Sequence, residues 1–203
     1  MKLDFWSSLS LAIVVHCSAA AAGPASPLDT LVASYREELV RHDNKNLYWR
    51  DGTVMSVDDG VSNKSFDQLL RNSSILDQFR LPYPSGQLTN PPPRNFDPGR
   101  FRNEEFFKKL YGDCRASAFK QHLRSINWLP GSGRKLVEVT LLNGVADQLV
   151  KVSREIDSFP DKLRRAAYPI GGVLSCRPVA DTGRMSMHGY AAAIDLNLEF
   201  SDY

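Results

Sequence analysis

The sequence predicts an α+β fold in which helices pack on a small, mainly antiparallel sheet. Segments with helical and with strand patterns alternate irregularly along the chain, and turn signals join neighbouring strands as hairpins rather than as βαβ units. The length of 203 residues is enough for one domain with a sizeable core. We therefore expect one α+β domain with an N-terminal appendage.

The first residues have the pattern of an export signal. Lys2 gives a short positive start, residues 9–15 form an apolar core, and residues 18–22 offer small-residue cleavage sites. The alternative is a buried N-terminal helix, which the small residues followed by a glycine-proline pair disfavour. We therefore expect residues 1–22 to be a signal peptide and the protein to be exported to the periplasm or the exterior of a bacterium.

The charge balance gives no sign of a strongly anionic partner. Lys and Arg together number 25 and Asp and Glu 23, so the formal net charge is only +2. The sequence has no basic stripe of the kind that marks a nucleic-acid surface, and no apolar run of membrane-spanning length. We expect neither a nucleic-acid partner nor a stable membrane span after signal cleavage.

The region after the signal begins with a strong helix start. Ser26 can cap the free amide groups of the first turn, and Pro27 fits the first helical position. Apolar side chains then recur at helical spacing over residues 28–39, and the pattern fades by His42. The sequence predicts one helix over this stretch.

A hairpin and a second helix are predicted next. Asp51 and Gly52 stand between two β-prone runs, residues 47–50 and 53–57. An Asp-Gly pair between two such runs is a strong hairpin signal because its backbone conformation matches the twist of the paired strands. Residues 66–79 then have the pattern of a short helix.

A proline-rich stretch divides the chain. Residues 81–99 include three consecutive prolines, so we expect an extended segment on the surface rather than regular structure. A soft boundary at this point separates an N-terminal unit, residues 23–100, from a second unit, residues 101–203.

The second unit has its own helix and strand signals. Asn103 can cap a helix whose acidic first turn suits the helix dipole. Strands are predicted at residues 126–129 and 136–142 around a glycine-rich turn, followed by an amphipathic helix over residues 145–156. A further strand is predicted over residues 171–177.

Signal removal leaves two cysteines, Cys114 and Cys176. In an oxidising compartment a disulfide between them is favoured, and it is the one intramolecular pairing that two cysteines allow. The alternative is a pair of buried free thiols.

The most informative stretch lies near the C-terminus. From Tyr190 onward polar and apolar residues alternate, as in a strand with two different faces. Asp195 would lie on the open face beside small alanines, and His188 precedes the strand. His and Asp in this arrangement can ligate zinc, although a solvated aspartate near an unrelated histidine is the commoner situation. The opposite face would enter the core through these side chains: Ile194, Leu196, Leu198 and Phe200.

The same stretch resembles the signature of a known family. Ser186, His188, Ala193 and Asp195 match four of the five fixed positions of the S-x-H-x-x-G-x-A-x-D motif, and Ala191 stands where the motif has glycine. The motif is that of the zinc D-alanyl-D-alanine carboxypeptidases, whose relatives include vancomycin-resistance dipeptidases and phage L-alanyl-D-glutamate endolysins. Residues 47–60, 97–114, 175–178 and 183–184 also look like the exported, peptidoglycan-directed branch.

The resemblance implies a role for each matching residue. His188 and Asp195 would be two ligands of Zn²⁺, and Arg177 would stabilise the oxyanion formed on the substrate carbonyl. The alternative for Arg177 is a surface salt bridge. Ser186 would support the site or contact the substrate, and its alternative is a hydroxyl that bonds nearby backbone. The fold would be carboxypeptidase-like, residues 101–203 would form the metallopeptidase domain, and the substrates would be peptidoglycan stem peptides.

The sequence departs from the family pattern after Asp195. The family takes a third zinc ligand, a histidine, and a catalytic glutamate from a downstream segment, and neither has a counterpart here. Glu199 is placed too far along the predicted strand to replace them. We therefore expect an incomplete, truncated and inactive form of a zinc peptidase that cleaves D-Ala-D-Ala or L-Ala-D-Glu bonds. The rival hypothesis is a secreted, non-catalytic module that binds the cell wall.

Overall fold

The structure, a computed structural model, describes residues 25–86, 89–133 and 135–200. The predicted signal peptide, residues 1–22, lies outside the described residues. Among the residues that are described, no helix is long and apolar enough to cross a membrane.

The first helix begins where the sequence predicts and ends earlier. Helix α1 spans Pro27–Ser34, and Ser26 and Asp29 form a reciprocal capping box at its start. Residues Leu39–His42, which were expected to continue the helix, instead form strand β1. Leu39 is fully buried in this strand, so its pairing and burial outweigh the helical spacing of the apolar residues.

The first sheet has three antiparallel strands in the order β1-β2-β3. Strand β2 spans Asn46–Trp49 and β3 spans Val54–Ser56, which confirms the predicted hairpin. Gly52 lies in the connecting turn with a φ of +85°, a conformation that glycine adopts without strain.

The predicted helix over residues 66–79 is broken in the middle. Helix α2 spans Phe66–Arg71, and a separate 3₁₀ turn spans Leu76–Phe79. Ser73 and Ser74 lie buried between them, and their hydroxyl groups bond to nearby backbone atoms instead of leaving the backbone to continue as a helix.

Helix α3 spans Glu104–Tyr111 and is capped as predicted, since the Asn103 side chain accepts a hydrogen bond of 2.8 Å from the Phe106 amide. Strands β4, Leu123–Trp128, and β5, Lys135–Thr140, pair antiparallel in a second sheet, close to the predicted positions. Helix α4 spans Val145–Asp157 and the short α5 spans Asp161–Arg164. Further 3₁₀ turns are Ser117–His122, Leu142–Gly144, Arg165–Ala167, Met187–Tyr190 and Leu198–Phe200. This mixture of helices and small antiparallel sheets confirms the α+β class.

Two hydrophobic clusters hold these elements together. The first joins α1, the first sheet and α3 to Met185 and Tyr190 near the C-terminus, so it draws on both sides of the boundary placed at residue 100. The second lies between the β4–β5 hairpin and α4. At its centre Trp128 is buried and donates a hydrogen bond of 2.9 Å to the Ala167 carbonyl.

The two strands predicted near the C-terminus are wrong. Among the described residues, residues 171–177 and the residues after Tyr190 share a single isolated bridge, which pairs Gly172 with Asp195. The prediction that the apolar residues of this stretch enter the core was also wrong in part. Ile194 packs on the second cluster, but the three residues that follow on that face, Leu196, Leu198 and Phe200, are 42%, 60% and 48% exposed.

A backbone feature explains why the alternating pattern does not become a strand. Met187–Tyr190 forms a 3₁₀ turn, and Ala191 follows with a φ of +52°, in the left-handed region. A residue in this conformation reverses the local chain direction, so the stretch cannot run on as extended backbone. This is the position at which the resembled motif has glycine.

Three exposed aspartates around the first sheet have depressed pKa values. A hydrogen bond with His42 lowers the pKa of Asp29 to about 2. The Tyr48 hydroxyl, 2.6 Å away, lowers the pKa of Asp43 to about 2. For Asp51 the cause is the Lys109 ammonium, which donates over 2.6 Å and lowers its pKa to about 2.

These contacts predict acid sensitivity. Because the folded state favours the charged carboxylates, their stabilisation is complete above the ordinary pKa of 3.8 and is lost as the pH falls through about 2. We expect the melting temperature to drop across this window, and to drop less in Asp51→Asn than in the wild type. Thermal unfolding followed by circular dichroism at a series of pH values measures it. Asp181→Asn, at an exposed aspartate, is the control; parallel curves for all three proteins would contradict the prediction.

Candidate metal site

Asp195 is fixed by backbone contacts to the chain at residues 171 and 172. The Gly171 amide donates to the Asp195 carbonyl over 2.9 Å, and the Asp195 amide donates to the Gly172 carbonyl over 2.9 Å. A Cβ at residue 171 would lie 3.0 Å from the Asp195 Cβ, so glycine at this position permits the close approach. Asp195 is therefore held firmly although it does not belong to a regular strand.

His188 is oriented by the same segment. The Ser175 amide donates to the His188 carbonyl over 3.0 Å, and His188 Nδ1 lies 2.8 Å from the Val173 carbonyl oxygen. Because a carbonyl can only accept, Nδ1 must carry the proton and donate. In a neutral imidazole this leaves the lone pair on Nε2, which is the arrangement that metal-ligating histidines use.

The two side chains predicted to bind metal do meet. His188 Nε2 lies 3.3 Å from Asp195 Oδ2, and the two side chains are 14% and 51% exposed. Ligand atoms at about 2.0–2.1 Å from a tetrahedral zinc stand about 3.3 Å apart, so the observed separation suits two neighbouring ligands of one ion. The pair is also open to solvent on the Asp195 side, where an ion could enter.

Ser186 contacts the backbone of His188, and Arg177 is connected to Ser186 through its own backbone. Ser186 is buried, and its hydroxyl accepts from the His188 amide over 3.3 Å at the start of the 3₁₀ turn. The Ser186 amide in turn donates to the Arg177 carbonyl over 3.0 Å. The Arg177 side chain is exposed and makes no ion pair or hydrogen bond with any part of the chain that the structure describes.

A cysteine pair ties the same segment to the rest of the fold. Cys114 Sγ and Cys176 Sγ are 1.98 Å apart, which is bonding distance for a disulfide. Cys114 follows the end of α3, and Cys176 lies between Val173, which orients His188, and Arg177. The bridge therefore anchors the segment that positions the candidate ligands.

The site also rests on the second sheet. The Thr140 amide, at the end of β5, donates to the Ala191 carbonyl over 3.0 Å. The Ala192 amide bonds to the Met187 carbonyl over 3.2 Å. The turn that carries His188 is thus closed on itself and fixed to the β4–β5 hairpin.

The described residues offer two ligands for a metal and not three. No group of three His, Cys, Asp or Glu side chains suited to a metal ion occurs within them. Of the other described histidines, His42 pairs with Asp29 over 2.9 Å, and His122 is an exposed residue of the Ser117–His122 turn. The arrangement fits zinc as half of a tetrahedral shell, with further positions left for other ligands.

Sequence reasoning missed two parts of this region. The Val173 carbonyl that fixes the His188 tautomer leaves no mark in the sequence, because every residue has a carbonyl and only the fold decides which one faces the ring. The second is a group of arginines. Arg184 is 7% exposed and donates to the Arg102 and Arg100 carbonyls over 2.9 and 3.2 Å. Its burial was not foreseen, because arginine is usually exposed.

Compared with known proteins, the chain matches no family model, no curated protein and no solved structure.

Proposed function

We propose that the protein is an exported, zinc-dependent peptidase that acts on peptidoglycan stem peptides and has a D-alanyl-D-alanine carboxypeptidase-like fold. One observation supports the metal site: His188 Nε2 lies 3.3 Å from Asp195 Oδ2. Because His188 Nδ1 donates to the Val173 carbonyl, the lone pair of the neutral imidazole is on Nε2 and can bind a metal. The substrate class rests on the resemblance of residues 186–195 to the zinc carboxypeptidase motif.

The residues of the proposed site have different roles. His188 and Asp195 hold the zinc ion, which when bound polarises a peptide carbonyl and lowers the pKa of a bound water. Arg177 offers a charged, forked donor to the oxygen of the scissile peptide, and its side chain is exposed and free to reach a substrate. Ser186 fixes the turn that carries His188 through its bond to the His188 amide.

Catalysis needs more than these residues supply. A catalytic zinc site has three protein ligands and an open position, and a peptidase of this type also uses a general base. The described residues provide two ligands, so the third ligand and the base would come from outside the described part of the chain. His188 and Asp195 are expected to bind zinc, whereas peptidase activity requires the further ligand and the base as well.

The test is a zinc titration followed by a cleavage assay. Isothermal titration of the metal-free 203-residue chain is expected to show one zinc per chain, which a chelator removes. The protein as its host exports it is expected to cut isolated stem peptides, with products identified by mass spectrometry, and to stop when the chelator is added. If the chain does not bind one zinc ion, the proposed metal site is wrong. If cleavage continues after the chelator is added, the protein is not a zinc peptidase.

A second candidate function is favoured by the incomplete ligand set. With two ligands among the described residues, the protein could be a secreted module that binds the cell wall without cutting it. His188 and Asp195 would then form an ion pair when His188 is protonated. Stem peptides that bind but stay intact in the presence of zinc, with unchanged affinity in His188→Ala, would favour this module over the peptidase.

A further inference from the structure

A large apolar groove opens beside the candidate metal site. Its cavity measures about 690 Å³, a size typical of pockets for small ligands and short peptides. Met187, Ala192 and Ala193 form one edge of the groove, and these residues flank His188 and Asp195 in the chain. Aromatic rings line much of the remainder: Tyr35 just after α1, Phe79 in the Leu76–Phe79 turn, Tyr83 in the proline-rich segment, Phe101 shortly before α3, and Phe106, Phe107 and Tyr111 in α3.

One charged side chain lies among these rings. Arg102 lines the groove and is partly buried, and its guanidinium makes no ion pair or hydrogen bond with the residues that the structure describes. Burial lowers its pKa from the usual value. A guanidinium withdrawn from water without a counter-ion is costly, so an anion that enters the groove would be bound favourably.

The surroundings of Arg102 strengthen this charge imbalance. The two terminal nitrogens of the buried Arg184 donate hydrogen bonds to backbone carbonyls. Its Nε has no hydrogen-bond partner in the described part of the chain. Of the nearby carboxylates, Asp97 pairs with Arg100 over 3.0 Å. Glu104 is exposed and accepts from the Met185 amide over 3.4 Å. Neither carboxylate forms an ion pair with Arg102 or Arg184.

We propose that this groove binds a carboxylate-bearing segment of a peptide substrate. Arg102 donates hydrogen bonds to the carboxylate, and the aromatic rings pack against the apolar parts of the peptide. Arginine suits the task because its planar fork donates two hydrogen bonds to one carboxylate. The groove lies against the turn that carries His188, so a peptide held there extends towards the metal site. The identification of that peptide as a peptidoglycan stem rests on the proposed function.

Two peptides that differ in one carboxylate test the inference. The first is L-Ala-γ-D-Glu-L-Lys amide, whose single free carboxylate is the α-carboxylate of D-Glu. The second is the same peptide with D-isoglutamine, in which an amide replaces that carboxylate. Isothermal titration of the metal-free protein in a chelator-containing buffer is expected to show about ten-fold or more tighter binding of the first peptide, as for a hydrogen bond to a charged group.

Two variants test whether Arg102 is responsible for the tighter binding of the carboxylate-bearing peptide. Arg102→Gln is expected to bind both peptides equally, whereas Arg94→Gln, at an exposed arginine of the proline-rich segment, keeps the wild-type preference. Equal binding of the two peptides by the wild type, or binding of neither, would overturn the inference without any variant. A preference that survives in Arg102→Gln and disappears in Arg177→Gln would also overturn it. Because no zinc is present, failure of the metal site leaves this experiment unaffected.

Discussion

Replacement of His188 by alanine is expected to abolish stoichiometric zinc binding. The substitution removes the proposed ligand, whose Nε2 lone pair is fixed by the bond from Nδ1 to the Val173 carbonyl, and one proposed ligand, Asp195, remains. The loss of affinity should exceed the roughly 10- to 100-fold that removal of an outer-shell partner costs, because a direct metal bond is lost. Zinc content after dialysis, measured by elemental analysis and by titration, gives the answer. The proposed peptidase activity should be lost in parallel.

The matched control for this experiment is His122→Ala. His122 is an exposed histidine on a 3₁₀ turn, and its removal changes the histidine count by the same amount. It should leave the zinc content unchanged, while Asp195→Asn should lower it as His188→Ala does. Retention of one tightly bound zinc by His188→Ala would refute the assignment of this residue as a ligand.

The second large effect concerns the disulfide. Replacing both Cys114 and Cys176 by serine is expected to lower the free energy of unfolding by about 4 kcal/mol in the chain-entropy model, because the bridge closes a long loop. The two cysteines are separated by 62 residues in the chain. Urea unfolding of the oxidised wild type and the double variant, compared at the same pH, measures the difference.

The same double variant should also bind zinc more weakly. Cys176 belongs to the segment whose backbone holds both candidate ligands, through Gly172 for Asp195 and through Val173 and Ser175 for His188. Wild-type protein treated with a reductant serves as the control, since it loses the bridge without any change of side chain. Equal unfolding free energies for the oxidised wild type, the reduced wild type and the double variant would show that the bridge contributes nothing.

Much of the fold could be predicted because the signals are local. The Ser26 and Asn103 caps mark helix starts by bonds that span three residues, and Asp51-Gly52 fixes a hairpin through its own backbone preferences. Where a distant partner decides, the prediction failed. Leu39 has helical spacing from Leu31 and Tyr35, yet pairing with β2 makes it part of a strand.

The identity of the two candidate ligands could be predicted from the sequence, but the backbone conformation around them could not. The motif named His188 and Asp195, and the structure brings them to 3.3 Å. The strand that was expected to carry Asp195 is absent from the described residues, since Ala191 adopts a positive φ that polar–apolar alternation cannot reveal. Arg102 was also beyond prediction, because its lack of an ion-pair partner among the described residues depends on which side chains the fold places around the groove.

The most direct measurement is a crystal structure of the zinc-loaded protein with data collected at the zinc absorption edge. We predict an anomalous peak between the two side chains, about 2.0–2.2 Å from His188 Nε2 and from an Asp195 carboxylate oxygen. The bond from His188 Nδ1 to the Val173 carbonyl should persist in that structure. A zinc ion bound elsewhere, or a direct His188–Asp195 hydrogen bond that persists at saturating zinc, would contradict the proposed metal site.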